Sequence, residues 1–493
     1  MCFGAQSRLC HIQRCMIPSV IAPAIAEATA LQHDAERRLL SIPYDHLPTD
    51  HTLAAAHPAA TLYRLHLPTD AGGCALTAPI LTYLPAAAGA AASAQPILRT
   101  SAFHADIAAN PLAWPTSGFR ILAEPAVAAL TIAALPAFFS DPTLYPDRHR
   151  AFRNAFTGPD GTATLANLDL ISAAHPQACF ARTLNRQLTA DLVADNTLPD
   201  TTRAGLHANA AFNSGRFLIP FYITQDNALT TEETLTAYQT RAGVPLSLIG
   251  PSTRCLARCY AYGPHVAFAV PGPLGQHHVT TAWHRSGAHQ HSCNIGGYTH
   301  FRHQQFLRHL LDGLKAAGAA VDASTASGEV FISPIDNKRA DAVIWHPALS
   351  ARGIAVDTTI WSGLTLPRLA HSAAAADWVT LAAEKHKIDK YRHLCDALNL
   401  DFEPLAADPQ GGFGPNLRRI WRLCWDHRLA AAAATNRPTR PIVSHERRCL
   451  ERISTALIRC LHRAIATRLH APIAVGTAQP PDDDGDAHMP ADT

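Results

Sequence analysis

The chain has 493 residues and a formal net charge of +2, so it is long enough for several domains and shows no overall basic excess. Its 12 cysteines stand at irregular spacing, which does not indicate a disulfide framework. No apolar run reaches the roughly 18 residues that cross a bilayer, and residues 1–28 mimic a signal peptide only loosely. We therefore expect a nuclear or cytoplasmic protein that is neither secreted nor inserted in a membrane.

The N-terminal half is expected to be mostly helical. Residues 1–150 are rich in alanine and proline and contain no catalytic constellation. Residues 151–250 have apolar side chains at helical spacing, which predicts a helical linker. Helices are predicted there over residues 184–192, 201–212 and 230–242. Thr230 and Glu233 give the last of these helices a typical start.

Cysteine and histidine residues cluster in residues 251–297. Cys255 and Cys259 are followed by His289 and Cys293, a ligand set that suits tetrahedral zinc in a closed structural site. Other histidines crowd the same stretch and leave the ligand identity open: His265, His277, His278, His284 and His291. The alternative is a set of surface histidines and buried thiols without metal.

Residues 298–414 have the clearest periodicity in the chain and predict an α-β-β-β-α-β core. The first helix is predicted over 298–317, with Gly318 as its stop. The remaining elements are strands over 329–333, 340–345 and 353–361, a long helix over 368–397, and a strand over 400–406. This pattern is typical of an α+β or α/β domain.

Two aspartates stand on the predicted strands of this core. Asp341 lies at the start of one strand and Asp357 lies inside the next, after an apolar run. A buried carboxylate is costly unless it is paired, hydrogen-bonded or bound to metal. Because adjacent strands lie about 4.8 Å apart, the two side chains can converge on one divalent cation. The alternative is that both aspartates only cap their strands, and we do not assign Glu329 to the site.

Lysine is rare in this chain and concentrated in one place. The sequence has five lysines among 41 basic residues, and three of the five are Lys385, Lys387 and Lys390. In a chain so rich in arginine, this cluster indicates that a compact ammonium is required there rather than a guanidinium. The alternative is a solvated helix face.

The C-terminal region carries an uneven distribution of charge. Residues 415–472 are rich in arginine and predict two helices, which could lie along a phosphate backbone or simply present a solvated face. Residues 473–493 form an acidic tail that is expected to be disordered.

The order of these motifs resembles the PD-(D/E)XK nuclease superfamily. The resemblance rests on Arg339-Ala340-Asp341, on Val356-Asp357-Thr358 and on a lysine shifted to the following helix. It is closer still to the restriction-like endonuclease of non-LTR retrotransposon polyproteins. Those domains have an Arg-His pair in the first helix, an Ala-Glu-Lys helix and a later Gly-Gly-aromatic-Gly, matched by Arg302-His303, Ala383–Tyr391 and Gly411–Gly414.

The chain departs from this family at two positions. Ala340 replaces the proline of the first motif, a mild change because only the aspartate is a ligand. The position after Asp357 lacks the lysine of a strict D-x-K motif, so catalysis would depend on a lysine from the helix.

The resemblance implies a Mg²⁺- or Mn²⁺-dependent DNA endonuclease that nicks a target strand. Asp341 and Asp357 would be the metal ligands, with Lys387 or Lys390 as the catalytic lysine. Arg302 or His303 would contact the phosphate. The segment before the core would be a zinc knuckle with the ligands Cys255, Cys259, His289 and Cys293.

The resemblance also extends loosely toward the N-terminus. Residues 71–77 resemble a stretch that follows the polymerase in these polyproteins, and residues 203–248 resemble the linker to the endonuclease. No paired-aspartate polymerase motif is present in the sequence. We therefore expect a polyprotein product that lacks the polymerase domain, with target DNA, element RNA and a polymerase-bearing protein as candidate partners.

Two other hypotheses remain open at this point. The first is a catalytically inactive, nucleic-acid-binding remnant of such a polyprotein, in which the core is only a scaffold. The second is an unrelated α/β domain that holds a structural metal and binds no nucleic acid.

Overall fold

The computed structural model describes residues 298–323, 330–333 and 338–470, the earlier stretches 192–218, 227–244 and 246, and shorter pieces between 24 and 291. The chain divides into two compact units, Met1–Pro199 and Asp200–Thr493. Among the described residues, no helix is both long and apolar enough to cross a membrane. The predicted acidic tail lies outside the described residues.

One described part of the first unit is a tight turn with buried residues beside it. Thr69–Ala71 form a single 3-10 turn, which ends at Gly72 with a φ of 85°. Leu65 and Leu67 are fully buried beside this turn. The hydroxyl of Thr189 donates a hydrogen bond of 2.9 Å to the carbonyl of Ala71, so residues far apart in sequence meet here.

The second unit begins with two helices, α1 (Asp200–Ala210) and α2 (Thr231–Ala242). The predicted start of α2 is confirmed as a capping box. The Thr230 side chain accepts a hydrogen bond from the Glu233 amide, and the Glu233 carboxylate accepts one from the Thr230 amide. A short hairpin follows, made of β1 (Ala269–Pro271) and β2 (His277–Val279).

The first helix of the core is α3 (Tyr298–Ala317), which has the predicted bounds. Its apolar positions recur at helical spacing, and Phe306, Leu310 and Leu314 are fully buried. Gly318 ends the helix with a φ of 108°, a backbone conformation that favours glycine.

The described residues after α3 contain six strands: β3 (Ala320–Asp322), β4 (Val330–Ser333), β5 (Lys338–Ala340), β6 (Ala342–His346), β7 (Ser350–Ile360) and β8 (Asp401–Ala407). Four of them form a mixed sheet in the order β3-β6-β7-β8. The pairs β3–β6 and β6–β7 are antiparallel, and β7–β8 is parallel. Strands β4 and β5 form a separate two-stranded sheet. The described fold is therefore of the α+β class.

The strands of the core differ from the predicted α-β-β-β-α-β order in three respects. The strand predicted over 329–333 is present as β4 (Val330–Ser333), but it pairs with β5 and does not join the main sheet. The edge of the main sheet is β3, a three-residue strand too short for the sequence pattern to reveal. The strand predicted over 340–345 is also divided, since Ala340 belongs to the hairpin and Ala342 to the sheet, with Asp341 at the bend between them.

The single helix predicted over 368–397 is two helices, α4 (Leu366–Ala374) and α5 (Trp378–Ala397). Ala375 is extended and Asp377 has a φ of 60°, so the chain turns between them. The alanines of this turn favour helix, but Trp378 packs against a buried cluster that contains Trp361. The packing of Trp378 outweighs the helix propensity of these alanines, and the helix is interrupted here.

Helices cover both faces of the main sheet. On one face lie α3, α6 (Pro415–Ala434) and α7 (Arg440–His470), whose apolar residues pack against the strands. On the other face, α5 packs through Tyr391 and Cys395 against Ala355. The prediction of two helices after the core is confirmed. Asp357 shares the strand face of Ala355, because side chains two residues apart point the same way.

Candidate active site

The pairing of β6 with β7 brings the two predicted aspartates together. Ala342 pairs with Val356, which places Asp341 opposite Asp357 across the antiparallel pair. The amide of Asp341 donates a hydrogen bond of 2.9 Å to the carbonyl of Val356, so the register continues to this position. Both side chains are buried, with 6% and 7% exposed surface for Asp341 and Asp357.

Asp341 is held by hydrogen bonds from a neighbouring threonine and histidine. Its Oδ2 accepts hydrogen bonds of 2.5 Å from both the amide and the hydroxyl of Thr358. The Nε2 of His303, on α3, lies 3.3 Å from the same oxygen. This Nε2 also lies 2.7 Å from the Thr358 hydroxyl oxygen and 3.1 Å from its carbonyl oxygen.

These contacts favour the charged forms of Asp341 and His303. Burial raises the pKa of Asp341, but the His303 and Thr358 hydrogen bonds outweigh it, so the net pKa lies below the ordinary value. Burial likewise lowers the pKa of His303, but the Asp341 carboxylate outweighs it, and the net pKa is raised. An ionised Asp341 beside an imidazolium is therefore the favoured state.

Asp357 faces a lysine instead of a hydrogen-bond network. The Nζ of Lys387, on α5, lies 3.1 Å from Oδ2 of Asp357, and both side chains are buried. The ammonium forms an ion pair with this oxygen, and no other group among the described residues donates a hydrogen bond to it. Burial raises the pKa of Asp357 to about 6, opposed by Lys387 and assisted by the charge of Asp341.

The structure separates the three clustered lysines. Lys387 is buried against Asp357, Lys390 is half-buried, and Lys385 is exposed. The Nζ of Lys390 lies 5.1 Å from the centre of the Tyr391 ring. Of the two candidate catalytic lysines, Lys387 is favoured over Lys390, because Lys387 contacts a carboxylate of the pair.

Arg302 is positioned differently from the other predicted site residues. Its guanidinium is buried and donates a hydrogen bond of 2.7 Å to the carbonyl of His291. It anchors the segment before α3, whereas the next residue, His303, reaches Asp341. The candidate zinc ligands Cys255, Cys259, His289 and Cys293 lie outside the described residues, and the zinc site stays a prediction.

Two residues of the site region were not singled out by sequence. Thr358 holds both Asp341 and His303, although a threonine in a β-strand is ordinary and gave no signal. Glu384, within the matched Ala383–Tyr391 motif, is buried and accepts a hydrogen bond of 3.1 Å from the Asn416 amide at the start of α6. Burial raises the pKa of Glu384 to about 7. The motif itself was the signal that could have identified it.

The matched Gly411–Gly414 motif has a structural role in this fold. Its Phe413 is fully buried and its ring packs edge-on against Phe306 and Trp421. A Cβ atom on Gly414 would lie 2.5 Å from Oε1 of Glu384, so only glycine fits this close approach. The motif joins α5, α6 and the core, and it contributes no group to the carboxylate pair.

A scan of family models and a search of curated proteins find no match to this chain.

Proposed function

We propose that residues 298–414, with α6 and α7 packed against them, form a metal-dependent DNA endonuclease that nicks one target strand. The observation that carries this proposal is the buried pair Asp341 and Asp357, each with its own basic partner, His303 and Lys387. The mixed sheet with helices on both faces is compatible with the restriction-like endonuclease that the sequence resembles. Two carboxylates and an ammonium are the groups that metal-assisted phosphodiester hydrolysis uses.

Asp341 and Asp357 would hold Mg²⁺ or Mn²⁺. Carboxylate oxygens are the hard donors that these ions prefer, and among the described residues Lys387 is the partner of the buried Oδ2 of Asp357. Among those residues, no three or more His, Cys, Asp or Glu are grouped to hold a metal ion. A site with two carboxylates suits Mg²⁺, which usually keeps several waters. When bound, such an ion polarises the scissile phosphate.

The protein side chains would position the reaction around this ion. His303 and Thr358 hold Asp341 ionised and in one orientation. The Lys387 ammonium is placed to neutralise the charge that builds on the phosphate as water attacks, or to orient that water. The water oxygen bonds to phosphorus, the bond from phosphorus to O3′ breaks, and the leaving oxygen takes a proton.

The products would be a 5′-phosphate and a free 3′-hydroxyl. By the resemblance to retrotransposon endonucleases, that hydroxyl would prime reverse transcription of element RNA.

The nucleic-acid-binding remnant ranks second, because contacts within the protein occupy many arginines of α6 and α7. Arg418 lies 3.4 Å from Asp377, and Arg447 lies 3.3 Å from Glu451. The Arg422 guanidinium lies 5.3 Å from the centre of the Phe212 ring. These arginines are engaged with groups of the protein itself, which weakens the case for a continuous phosphate-binding face there.

The test is a nicking assay on supercoiled plasmid with the full chain in Mg²⁺ or Mn²⁺. Asp357→Asn is expected to lose nicking by at least about a hundredfold, because one of two metal-binding carboxylates is gone. The matched control is Asp322→Asn on the edge strand β3, where the carboxylate is exposed. A parent protein that never nicks, or an Asp357→Asn variant that nicks like the control, contradicts the endonuclease.

A further inference from the structure

Beyond Asp357, strand β7 leads to a cluster of aromatic and basic side chains. Trp361 follows the end of β7, and its amide donates a hydrogen bond of 3.1 Å to the carbonyl of Ala407 at the end of β8. From Asp357 to Trp361 the chain advances four residues, a distance of about 13 Å in an extended strand. This end of the sheet therefore adjoins the carboxylate pair without being part of it.

Helix α5 continues from the carboxylate pair to the same cluster. It runs antiparallel to β7, since Tyr391 packs near Ala355, Lys387 meets Asp357, and the earlier His386 lies beside Trp361. The His386 and Trp361 ring centres are 5.7 Å apart. His386 directly precedes the lysine of the site, so the cluster begins next to the proposed chemistry.

Helix α4 adds two more basic groups to this cluster. Arg368 and His371 stand three residues apart, which places them on the same face of α4. The Arg368 guanidinium lies 3.8 Å from the centre of the Trp361 ring. The exposed His371 ring stacks on Trp378 at 4.6 Å, with an angle of 16° between the planes.

The chemistry of this surface fits a nucleic-acid strand. The half-buried Arg368 guanidinium lies over the Trp361 ring, and a guanidinium is a group that binds phosphate oxygens. Trp361 is buried and Trp378 lies under His371, so these two rings support the basic side chains from inside the protein. The nearby carboxylates are compensated: Asp377 pairs with Arg418 at 3.4 Å, and Glu384 is buried with a raised pKa.

We propose that Arg368, His371 and His386, backed by Trp361 and Trp378, bind the DNA strand that flanks the scissile phosphate. The proposal rests on the proposed endonuclease and assigns the direction in which its substrate leaves the site. At a rise of about 3.4 Å per base pair, the 13 Å from Asp357 to Trp361 spans about four base steps. The strand would therefore leave the carboxylate pair along the C-terminal end of β7 and cross α4.

The test measures DNA binding separately from cleavage. The full chain carrying Asp357→Asn is titrated against a short fluorescein-labelled DNA duplex over a series of salt concentrations. Adding Arg368→Gln or His371→Ala is expected to weaken binding at least about threefold, and Arg368→Gln also lowers the salt slope by about 0.9, one phosphate contact. The control is Arg352→Gln, an exposed arginine near the opposite end of β7.

Each outcome decides the proposal. It holds if both α4 variants weaken binding while Arg352→Gln does not, with unchanged thermal unfolding of His371→Ala. It is overturned if the α4 variants bind like Arg352→Gln, or if the duplex does not bind at all. If the parent chain fails to nick plasmid, the endonuclease is wrong, whereas nicking together with equal binding by all variants removes the α4 surface alone.

Discussion

Two buried carboxylates of the core, Asp357 and Asp408, look alike by burial and pKa but have different surroundings. Burial raises the pKa of Asp357 to about 6 and that of Asp408 to about 7. Oδ1 of Asp408 accepts hydrogen bonds of 2.7 Å and 3.1 Å from the amides of Gln410 and Gly412 in its own loop. Among the described residues no backbone amide donates to Oδ2 of Asp357, which pairs with the Lys387 ammonium at 3.1 Å.

The difference shows that a raised pKa alone does not separate a structural carboxylate from one that takes part in chemistry. Backbone amides fix the loop after β8 through Asp408, and the Arg241 guanidinium of α2 lowers the pKa of Asp408 against the effect of burial, which is a structural role. Asp357 pairs with a side chain of α5 rather than with backbone amides, an arrangement in which the carboxylate can be shared with a bound cation. We therefore assign chemistry to the Asp357 cluster and loop geometry to the Asp408 cluster.

The largest expected effect is on the nicking rate, and it is expected for a substitution of Lys387, the partner of Asp357. Lys387→Arg is expected to lower the nicking rate by about a thousandfold, close to 4 kcal/mol of transition-state stabilisation. The planar guanidinium cannot replace a compact ammonium in the buried space beside Asp357. The measurement is the single-turnover nicking rate of the full chain on supercoiled plasmid.

Lys385→Arg is the matched control, because Lys385 is an exposed lysine on the same helix. It should nick at the parental rate. Equal rates for the two variants would remove Lys387 from the mechanism and with it the distinction between Asp357 and Asp408.

The next prediction concerns Asp408 and the way its ionisation changes the free energy of unfolding with pH. Its pKa is about 7 in the folded protein against 3.8 for a free aspartate, so the folded state keeps a proton that the unfolded state loses. The stability from this group is therefore full below about pH 4 and is lost as pH rises to about 7. Asp408→Asn removes this loss. The free energy of unfolding of Asp408→Asn minus that of the parent should therefore be roughly 2–4 kcal/mol larger at pH 8 than at pH 4.

Urea unfolding of both proteins at the two pH values measures this difference. Asp408→Asn should also leave the plasmid nicking rate near that of the parent, because the asparagine oxygen can still accept both loop amides. A large loss of nicking with intact folding would mean that Asp408 takes part in the chemistry, and the contrast between the clusters would fail.

Much of the fold was predictable because its strongest patterns are local. The bounds of α3, the capping box of α2 and the strand after α5 follow from apolar spacing and capping residues in the sequence. The edge strand β3 was not predictable, since three residues carry no period. The break between α4 and α5 was missed because its alanines favour helix, and the neighbouring Trp378 packs on residues far away in sequence.

The candidate site was also predictable from the sequence only in part. Asp341 and Asp357 stand out because charged residues interrupt apolar strands, and the lysine cluster stands out against the arginine-rich composition. The sequence could not choose between Lys387 and Lys390, because that depends on which side of α5 faces the sheet. It could not reveal Thr358 either, since its role arises only when β7 and α3 come together.

The smallest of these effects is expected at Thr358, which contacts Asp341 and His303. Thr358→Val keeps the shape of the side chain but removes the hydroxyl that donates to Asp341 at 2.5 Å. Loss of one hydrogen bond to a charged group corresponds to about a tenfold lower nicking rate, with little change in DNA affinity. Thr358→Ser restores the hydroxyl and should recover most of the rate.

A second readout separates positioning from packing in the Thr358 variants. The hydroxyl also lies 2.7 Å from Nε2 of His303, whose pKa is raised chiefly by Asp341 against the effect of burial. Freeing Asp341 from Thr358 changes its interaction with the imidazole, so the NMR titration of His303 should shift in Thr358→Val and return in Thr358→Ser. A slower Thr358→Val enzyme whose His303 titrates as in the parent would make Thr358 a packing residue, and Asp341 would then depend on the Thr358 amide and His303 alone.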